Sequence, residues 1–328
     1  MQHFPKKLIK FFFLFPFAFL LTFIPVIVAL PEVAVAQTVE ERKAQADRLY
    51  AEAVQLWRTS RFREALEKWQ QALVIYREIG NRKGEANSLI NLGNAYANLG
   101  QYQRAIAFFQ QSLAIFQKIG NRNGEASSLG NLGKAYGSLG QYQRAIEFHQ
   151  QSLAIKQEIG DRNGEANTLT GLGNAYANLG QYQRAIEFYQ QSLPIFQEIG
   201  DRNGEASSLG SLGNAYGSLE QYQRAIEFFQ QSLAIFQEIG DRNGEGLTLS
   251  NLGYAYEATN QIELAIMSFQ QSVNVREAIR NDIRGLPQQQ QQAYIDSVAG
   301  TYRRLANLLR KQNRTQEAQQ VLNLLTVR

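Results

Sequence analysis

The side chains that most enzymes use for catalysis are scarce in this sequence. Its 328 residues contain no cysteine and only two histidines, His3 and His149. This composition excludes a thiol nucleophile, a cysteine zinc site and a histidine metal cage. No catalytic residue, metal or cofactor is therefore predicted, and His149 is interpreted as a packed substitute for an aromatic side chain. The recurring serines also lack a histidine partner that would activate them; they are Ser112, Ser152, Ser192 and Ser232.

A different chemistry is indicated by asparagines at helical spacing. Asn87, Asn91, Asn94 and Asn98 lie at i, i+4, i+7 and i+11, along one face of a helix. Asparagine is mildly unfavourable inside helices because its side chain competes for backbone hydrogen bonds. Its amide offers donors and an acceptor, which suits it to hold a peptide backbone. These four residues and their later counterparts form what we call the amide stripe; the counterparts are Asn131, Lys134, Asn174, Asn178, Asn214, Asn251 and Tyr254.

The elements that carry this stripe come from one repeated unit. Ile-Gly pairs close blocks 40 residues apart, and each block contains two runs of apolar residues at helical spacing. An Asn or Asp after each closing glycine is predicted to cap the next helix. A glycine in the middle of each first helix, such as Gly93 or Gly173, is predicted to admit the second helix at Ala105 or Ala185. The sequence therefore predicts a linear array of helix pairs.

A few positions depart from the repeat. Glu220 and Asn260 replace the turn glycine, and at Glu220 we expect either strain or a different turn. Pro194 lies inside a second helix and is expected to bend it. Gly285 and Pro287 interrupt the period, which predicts a Gln-rich linker over residues 281–292.

The motif LGNAYANLGQYQRAIEFYQQSL resembles the tetratricopeptide repeat, and its 40-residue unit with DRNGEA linkers resembles the repeats of kinesin light chains and Pins/LGN regulators. The resemblance implies an all-α, right-handed solenoid of tandem antiparallel helix pairs. A degenerate first repeat is expected over 37–80, five full repeats over 81–280, and a C-terminal helix pair over 293–328. In such proteins the first helices line a concave groove that holds extended peptides.

This resemblance predicts a non-catalytic scaffold whose partner is a protein or peptide lying along the amide stripe. Lys134 is the cation of the stripe and is expected to pair with a ligand carboxylate. Tyr254 is expected to stack on the ligand or to form a hydrogen bond with it. The alternative is that the amides bond adjacent helices or water. Nucleic acid is not an expected partner, because the net charge of +4 falls to +2 without residues 1–36.

The N-terminal segment predicts export from the cytoplasm. Lys6, Lys7 and Lys10 precede an apolar run over residues 11–30, and Ala34 and Ala36 form a small-residue cleavage site. A signal peptide over residues 1–36, cleaved after Ala36, delivers a periplasmic or secreted protein. Because the run is long enough to span a bilayer, the alternative is an uncleaved anchor, which makes residues 11–30 the only membrane contact.

The C-terminal sequence supports a second functional hypothesis. Residues 293–325 resemble the segment that leads into a caspase-like CHAT protease domain in bacterial proteins with these repeats. The chain would then be the regulatory half of a truncated or split peptidase system.

Overall fold

The computed structural model describes the backbone of residues 30–326 and the side chains of residues 38–326. This part of the chain folds into consecutive antiparallel helix pairs and contains no strand. The helices are α1 (Leu30–Arg58), α2 (Phe62–Glu78), α3 (Arg82–Asn98), α4 (Tyr102–Lys118), α5 (Arg122–Ser138), α6 (Tyr142–Glu158), α7 (Arg162–Asn178), α8 (Tyr182–Ile199), α9 (Arg202–Ser218), α10 (Tyr222–Ile239), α11 (Arg242–Ala258), α12 (Ile262–Asp282), α13 (Gln288–Lys311) and α14 (Thr315–Asn323).

The predicted helix caps are present at the start of each full repeat. The capping side-chain oxygen accepts a hydrogen bond of 2.8–3.1 Å from the backbone N–H three residues later, which belongs to a glycine in every repeat. This bond satisfies one of the free N–H groups at the helix start. The capping residues are Asn81, Asn121, Asp161, Asp201 and Asp241.

The turn at Glu220 is the same turn that glycine makes elsewhere. Glu220 has a φ of 59°, in the left-handed region that Gly180 occupies with a φ of 73°. Its N–H donates to the Gly217 carbonyl at 3.0 Å, as the Gly180 N–H donates to the Ala177 carbonyl at 2.9 Å. Of the two expectations for this position, the strained conformation is the one observed.

The mid-helix glycines allow close approach of the second helix of their own repeat, as predicted, but the residue that contacts them is its aromatic ring and not the predicted alanine. A Cβ built on Gly213 would lie 2.5 Å from Cε1 of Phe229, and one on Gly133 would lie 2.7 Å from the His149 ring. The glycine at the end of the first helix approaches the alanine instead: a Cβ on Gly217 would lie 3.9 Å from that of Ala225.

The linker is shorter than predicted. Helix α12 continues to Asp282 and α13 begins at Gln288, directly after Pro287, so Gln288–Gln292 are helical. Proline is tolerated at a helix start, where the N–H that it lacks would have no partner, and glutamine is a good helix former. Pro194 does not end α8, which runs unbroken from Tyr182 to Ile199.

The contacts between successive helix pairs indicate that the stack is curved. Successive first helices (α3 with α5, α5 with α7, α7 with α9, α9 with α11) contact one another, whereas successive second helices of the described chain make no comparable contact. The first helices therefore lie on the inner side of the curve. Among residues 30–326, no helix has the length and apolarity needed to cross a bilayer. Residues 11–29, most of the predicted signal or anchor, lie outside the described residues.

Candidate functional site: the inner face

The amide stripe lies on the inner face of the stack. All eleven residues belong to the first helices α3, α5, α7, α9 and α11, and each is at least partly exposed. The stripe therefore forms one polar surface that a ligand can reach along five repeats.

Some stripe amides bond to the protein itself. Asn91 Nδ2 donates to the Tyr50 hydroxyl of α1 at 2.8 Å. The carbonyl oxygen of Asn174 accepts from the Tyr189 hydroxyl at 2.7 Å, and the Asn178 amide donates to the Asn174 backbone carbonyl at 2.8 Å. Between neighbouring first helices, Asn251 Nδ2 donates to Asn214 Oδ1 at 3.1 Å. The alternative interpretation, bonding to adjacent helices, holds for Asn91, Asn174, Asn214 and Asn251, whereas Asn178 bonds within its own helix.

Five other residues of the amide stripe form no such bonds. Within residues 38–326, the side chains of the following stripe residues make no hydrogen bond or ion pair with the protein: Asn87, Asn94, Asn98, Asn131 and Lys134. Their donors and acceptors face solvent and are available to a ligand.

The ring of Tyr254 has two contacts within the protein, but much of the side chain remains exposed. Its ring packs edge-on against Phe269, with centroids 5.0 Å apart, and the Arg304 guanidinium lies 5.7 Å from its ring centre. Its side chain is nevertheless 44% exposed. This arrangement orients the phenol without covering it.

Open cavities follow the stripe. One of about 360 Å³ is lined by Lys134, His149 and Asn174, and a neighbouring one of about 270 Å³ by Asn131, Lys134 and Lys156. A third, of about 290 Å³, lies two repeats further along between α9 and α11, at Asn214 and Tyr254. A fourth, of about 320 Å³, includes Asn87 near the first repeat. The inner face is thus a furrow with side pockets.

His149 is packed, as predicted, but it also forms the floor of both cavities at Lys134. The residue is 3% exposed, and its Nδ1 is buried without a hydrogen-bond partner in the described chain. Burial, with a smaller effect of Lys134, lowers the pKa of His149 to about 4, so the ring is neutral at pH 7. Sequence reasoning did not connect His149 with the groove, although the coincidence of several unusual residues in neighbouring repeats was a visible signal.

Comparison with known families agrees with this architecture. A model of the tetratricopeptide repeat matches residues 45–118, 85–158, 164–238 and 204–278, which together cover more than half of the chain. The matches end at residue 278, so they do not include the C-terminal helix pair. None of the curated proteins compared with the chain matches it.

Solved structures show the same tandem helix pairs. Repeats assigned to a kinesin light chain of Podosopora anserina are 25% identical, with a TM-score of 0.51 over 60% of this chain and 97% of that one. BtubC from P. vanneervenii is 22% identical, with a TM-score of 0.57 over 74% and 92% of the two chains. A Rap protein in complex with competence and sporulation factor is 16% identical, with a TM-score of 0.57 over 83% and 76%.

Proposed function

Because this chain belongs to the tetratricopeptide repeat family, we propose that it is a non-catalytic scaffold that binds an extended segment of a partner protein along its inner furrow. One observation carries the proposal. Asn94, Asn98 and Asn131 present unused amides to solvent from consecutive first helices, and Asn131 lines an open cavity. Asparagine is a poorer helix former than many other polar residues, so its presence at these positions needs a reason. A ligand that bonds to the unused amides supplies that reason.

An extended peptide matches this surface. Its backbone presents N–H and C=O groups in alternation, and an Asn side chain can bond to either kind of group. Binding through the backbone supplies affinity that depends little on the ligand sequence, and the side pockets then select particular side chains. The Rap protein crystallised with competence and sporulation factor is an example of such a fold bound to a partner.

The test uses a displayed library of random peptides of about twelve residues, which span about 40 Å when extended. Peptides selected by the full chain should bind the Asn94→Ala/Asn131→Ala variant about tenfold more weakly, which corresponds to about 1.4 kcal/mol for the lost hydrogen bonds. The matched control is Gln150→Ala/Gln190→Ala, which removes two exposed amides from the second helices. Binding in the furrow is contradicted if both variants lose peptide affinity equally, or if neither variant loses any.

We further propose that residues 1–36 direct export and are removed after Ala36, so that the repeats act in the periplasm or outside the cell. The basic start, the apolar run and the small residues before the cleavage position support this. Sequencing the N-terminus of the exported protein tests it: a start at Gln37 supports cleavage, whereas an intact N-terminus in the membrane fraction supports the anchor.

A further inference from the structure

The charges of the chain are segregated along the stack of repeats. Residues 41–160 contain 16 Lys and Arg against 10 Asp and Glu, a net charge of +6. Residues 161–280 contain 7 Lys and Arg against 14 Asp and Glu, a net charge of −7. The nearly neutral chain therefore consists of a basic and an acidic half within the same repeated architecture.

This segregation is visible at the junctions between repeats. Each junction joins the last turn of a second helix to the first turn of the next first helix, and because the pairs are antiparallel all junctions lie along one edge of the stack. The first two junctions each carry a net charge of +1, whereas the last three each carry −2. We call this surface the junction edge; it consists of residues 77–85, 117–125, 157–165, 197–205 and 237–245.

The ion pairs of the junction edge invert in the same way. At the first junction, two guanidiniums share the single carboxylate of Glu85. In later repeats one guanidinium serves two carboxylates, as Arg162 does with Glu165 and Glu198, both at 2.5 Å. Pairing within the chain therefore leaves positive charge in excess at the start of the edge and negative charge in excess further along. The arginines that share Glu85 are Arg77 and Arg82, and those equivalent to Arg162 are Arg122 and Arg202.

The excess charges are free to meet a partner. Lys83 and Lys118 are exposed, and neither forms an ion pair within residues 38–326. In the acidic half, Asp201 forms no ion pair within the same residues; its carboxylate accepts the capping hydrogen bond from the Gly204 N–H. Lys118 stands at the position that is acidic in the later repeats, where the residues are Glu158, Glu198 and Glu238.

The junction edge also exposes apolar side chains. Ile119, Ile159 and Ile239 each precede the turn glycine and are 37–40% exposed. Apolar side chains at the centre of an interface supply affinity, whereas the charges around them fix orientation. The edge offers both.

We propose that two copies of this chain associate through the junction edge in antiparallel orientation, so that the basic junctions of each copy face the acidic junctions of the other. A two-fold axis between the second and third junctions places residues 117–125 opposite 157–165, and residues 77–85 opposite 197–205. Each contact then occurs twice. The edge is its own electrostatic complement in this arrangement, whereas a uniformly charged partner such as nucleic acid is attracted by one half and repelled by the other.

The test uses two variants that copy residues from other repeats. Lys83→Asn/Lys118→Glu makes the whole junction edge acidic, and Glu158→Lys/Glu198→Lys makes the third and fourth junctions basic. In sedimentation velocity of the full chain, wild type should self-associate at about 20 mM salt, and each variant alone should do so at least about tenfold more weakly. An equimolar mixture of the two variants should form a heterodimer with about the wild-type affinity, because opposite charges face each other again.

A control variant separates the junction edge from a general effect of net charge. Glu147→Lys/Glu187→Lys changes the net charge as much as Glu158→Lys/Glu198→Lys does, but at exposed positions in the middle of the second helices. It should keep the wild-type association, and about 500 mM salt should weaken both by about tenfold or more.

Three results overturn the proposal. The first is a wild type that stays monomeric at about 100 μM protein in low salt. The second is an equal loss of association in the control variant, and the third is a mixture of the charge variants that associates no better than either alone. If wild type stays monomeric but binds a polyanion that Lys83→Asn/Lys118→Glu does not bind, the basic half serves an anionic ligand and not a second copy.

Discussion

At the residue scale, two glycines of α9 should respond in opposite ways to the same substitution. A Cβ on Gly213 would lie 2.5 Å from Phe229, whereas a Cβ on Gly217 would lie 3.9 Å from that of Ala225. We expect Gly213→Ala to lower the unfolding free energy by about 1–3 kcal/mol, because the ring must move. Gly217→Ala should raise it by about 0.5–1 kcal/mol, because alanine is the better helix former. Urea denaturation of both variants gives the comparison.

If both substitutions raised the unfolding free energy, ring packing would not explain the glycine in each repeat. The same packing exists at Gly93 and Phe109, so Gly93→Ala should repeat the loss seen at Gly213.

His149 should make folding stability depend on pH. Its pKa is about 4 in the folded chain against an ordinary value of 6.5, because burial opposes the charged ring. Between these values the unfolded chain binds a proton that the folded chain does not, so stability is complete above pH 6.5 and is lost as the pH falls toward 4. The loss should reach about 3 kcal/mol. His149→Phe, which copies the residue at Phe109, should remove this component.

The measurement is the difference in unfolding free energy between wild type and His149→Phe at several pH values. Carboxylates titrate in the same range in both proteins, so taking the difference cancels their contribution. A difference that stays constant from pH 7 to about 4 would contradict the depressed pKa.

The stripe shows what side-chain spacing can and cannot predict. Spacing placed Asn91 and Asn94 on one accessible helix face, and both lie there. It did not separate Asn91, which bonds to Tyr50, from Asn94, which is free. That distinction depends on a residue 41 positions earlier in the chain, on a helix whose approach is set by packing.

At the scale of the element, the turn at Glu220 stores strain that glycine would remove. Its φ of 59° is costly for a residue with a Cβ, by about 1 kcal/mol or more. Glu220→Gly should therefore raise the unfolding free energy by about 1 kcal/mol. Asn260→Gly, at the same turn position with the same φ, should gain less because asparagine tolerates this region. Thermal denaturation of the two variants tests the order; an equal or larger gain at Asn260 would contradict it.

The elements themselves were largely predictable because local chemistry decides them. Capping at Asp161 and Asp201 needs only a side chain and an N–H three residues later. The error at the linker has an equally local origin. Pro287 was interpreted as a loop residue, yet proline is also tolerated at a helix start, and the glutamines that follow complete the first turns of α13.

At the scale of the whole molecule, the curve follows from the sizes of side chains. The buried faces of first helices carry small residues such as Gly213 and Ala215, whereas those of second helices carry Phe229 and Phe236. Small side chains let helix axes approach more closely than large ones do, so the stack is narrower on the first-helix side. The furrow is therefore a consequence of the same packing residues that hold the repeats together.

Removal of one complete repeat tests the architecture. In a stack where each repeat contacts only its neighbours, deleting residues 121–160 or 201–240 joins equivalent interfaces. Both variants should keep the helical circular dichroism per residue of the full chain and lose similar amounts of stability. A fall in the helical signal per residue, or a much larger loss of stability in one variant than in the other, would contradict an array in which each repeat contacts only its neighbours.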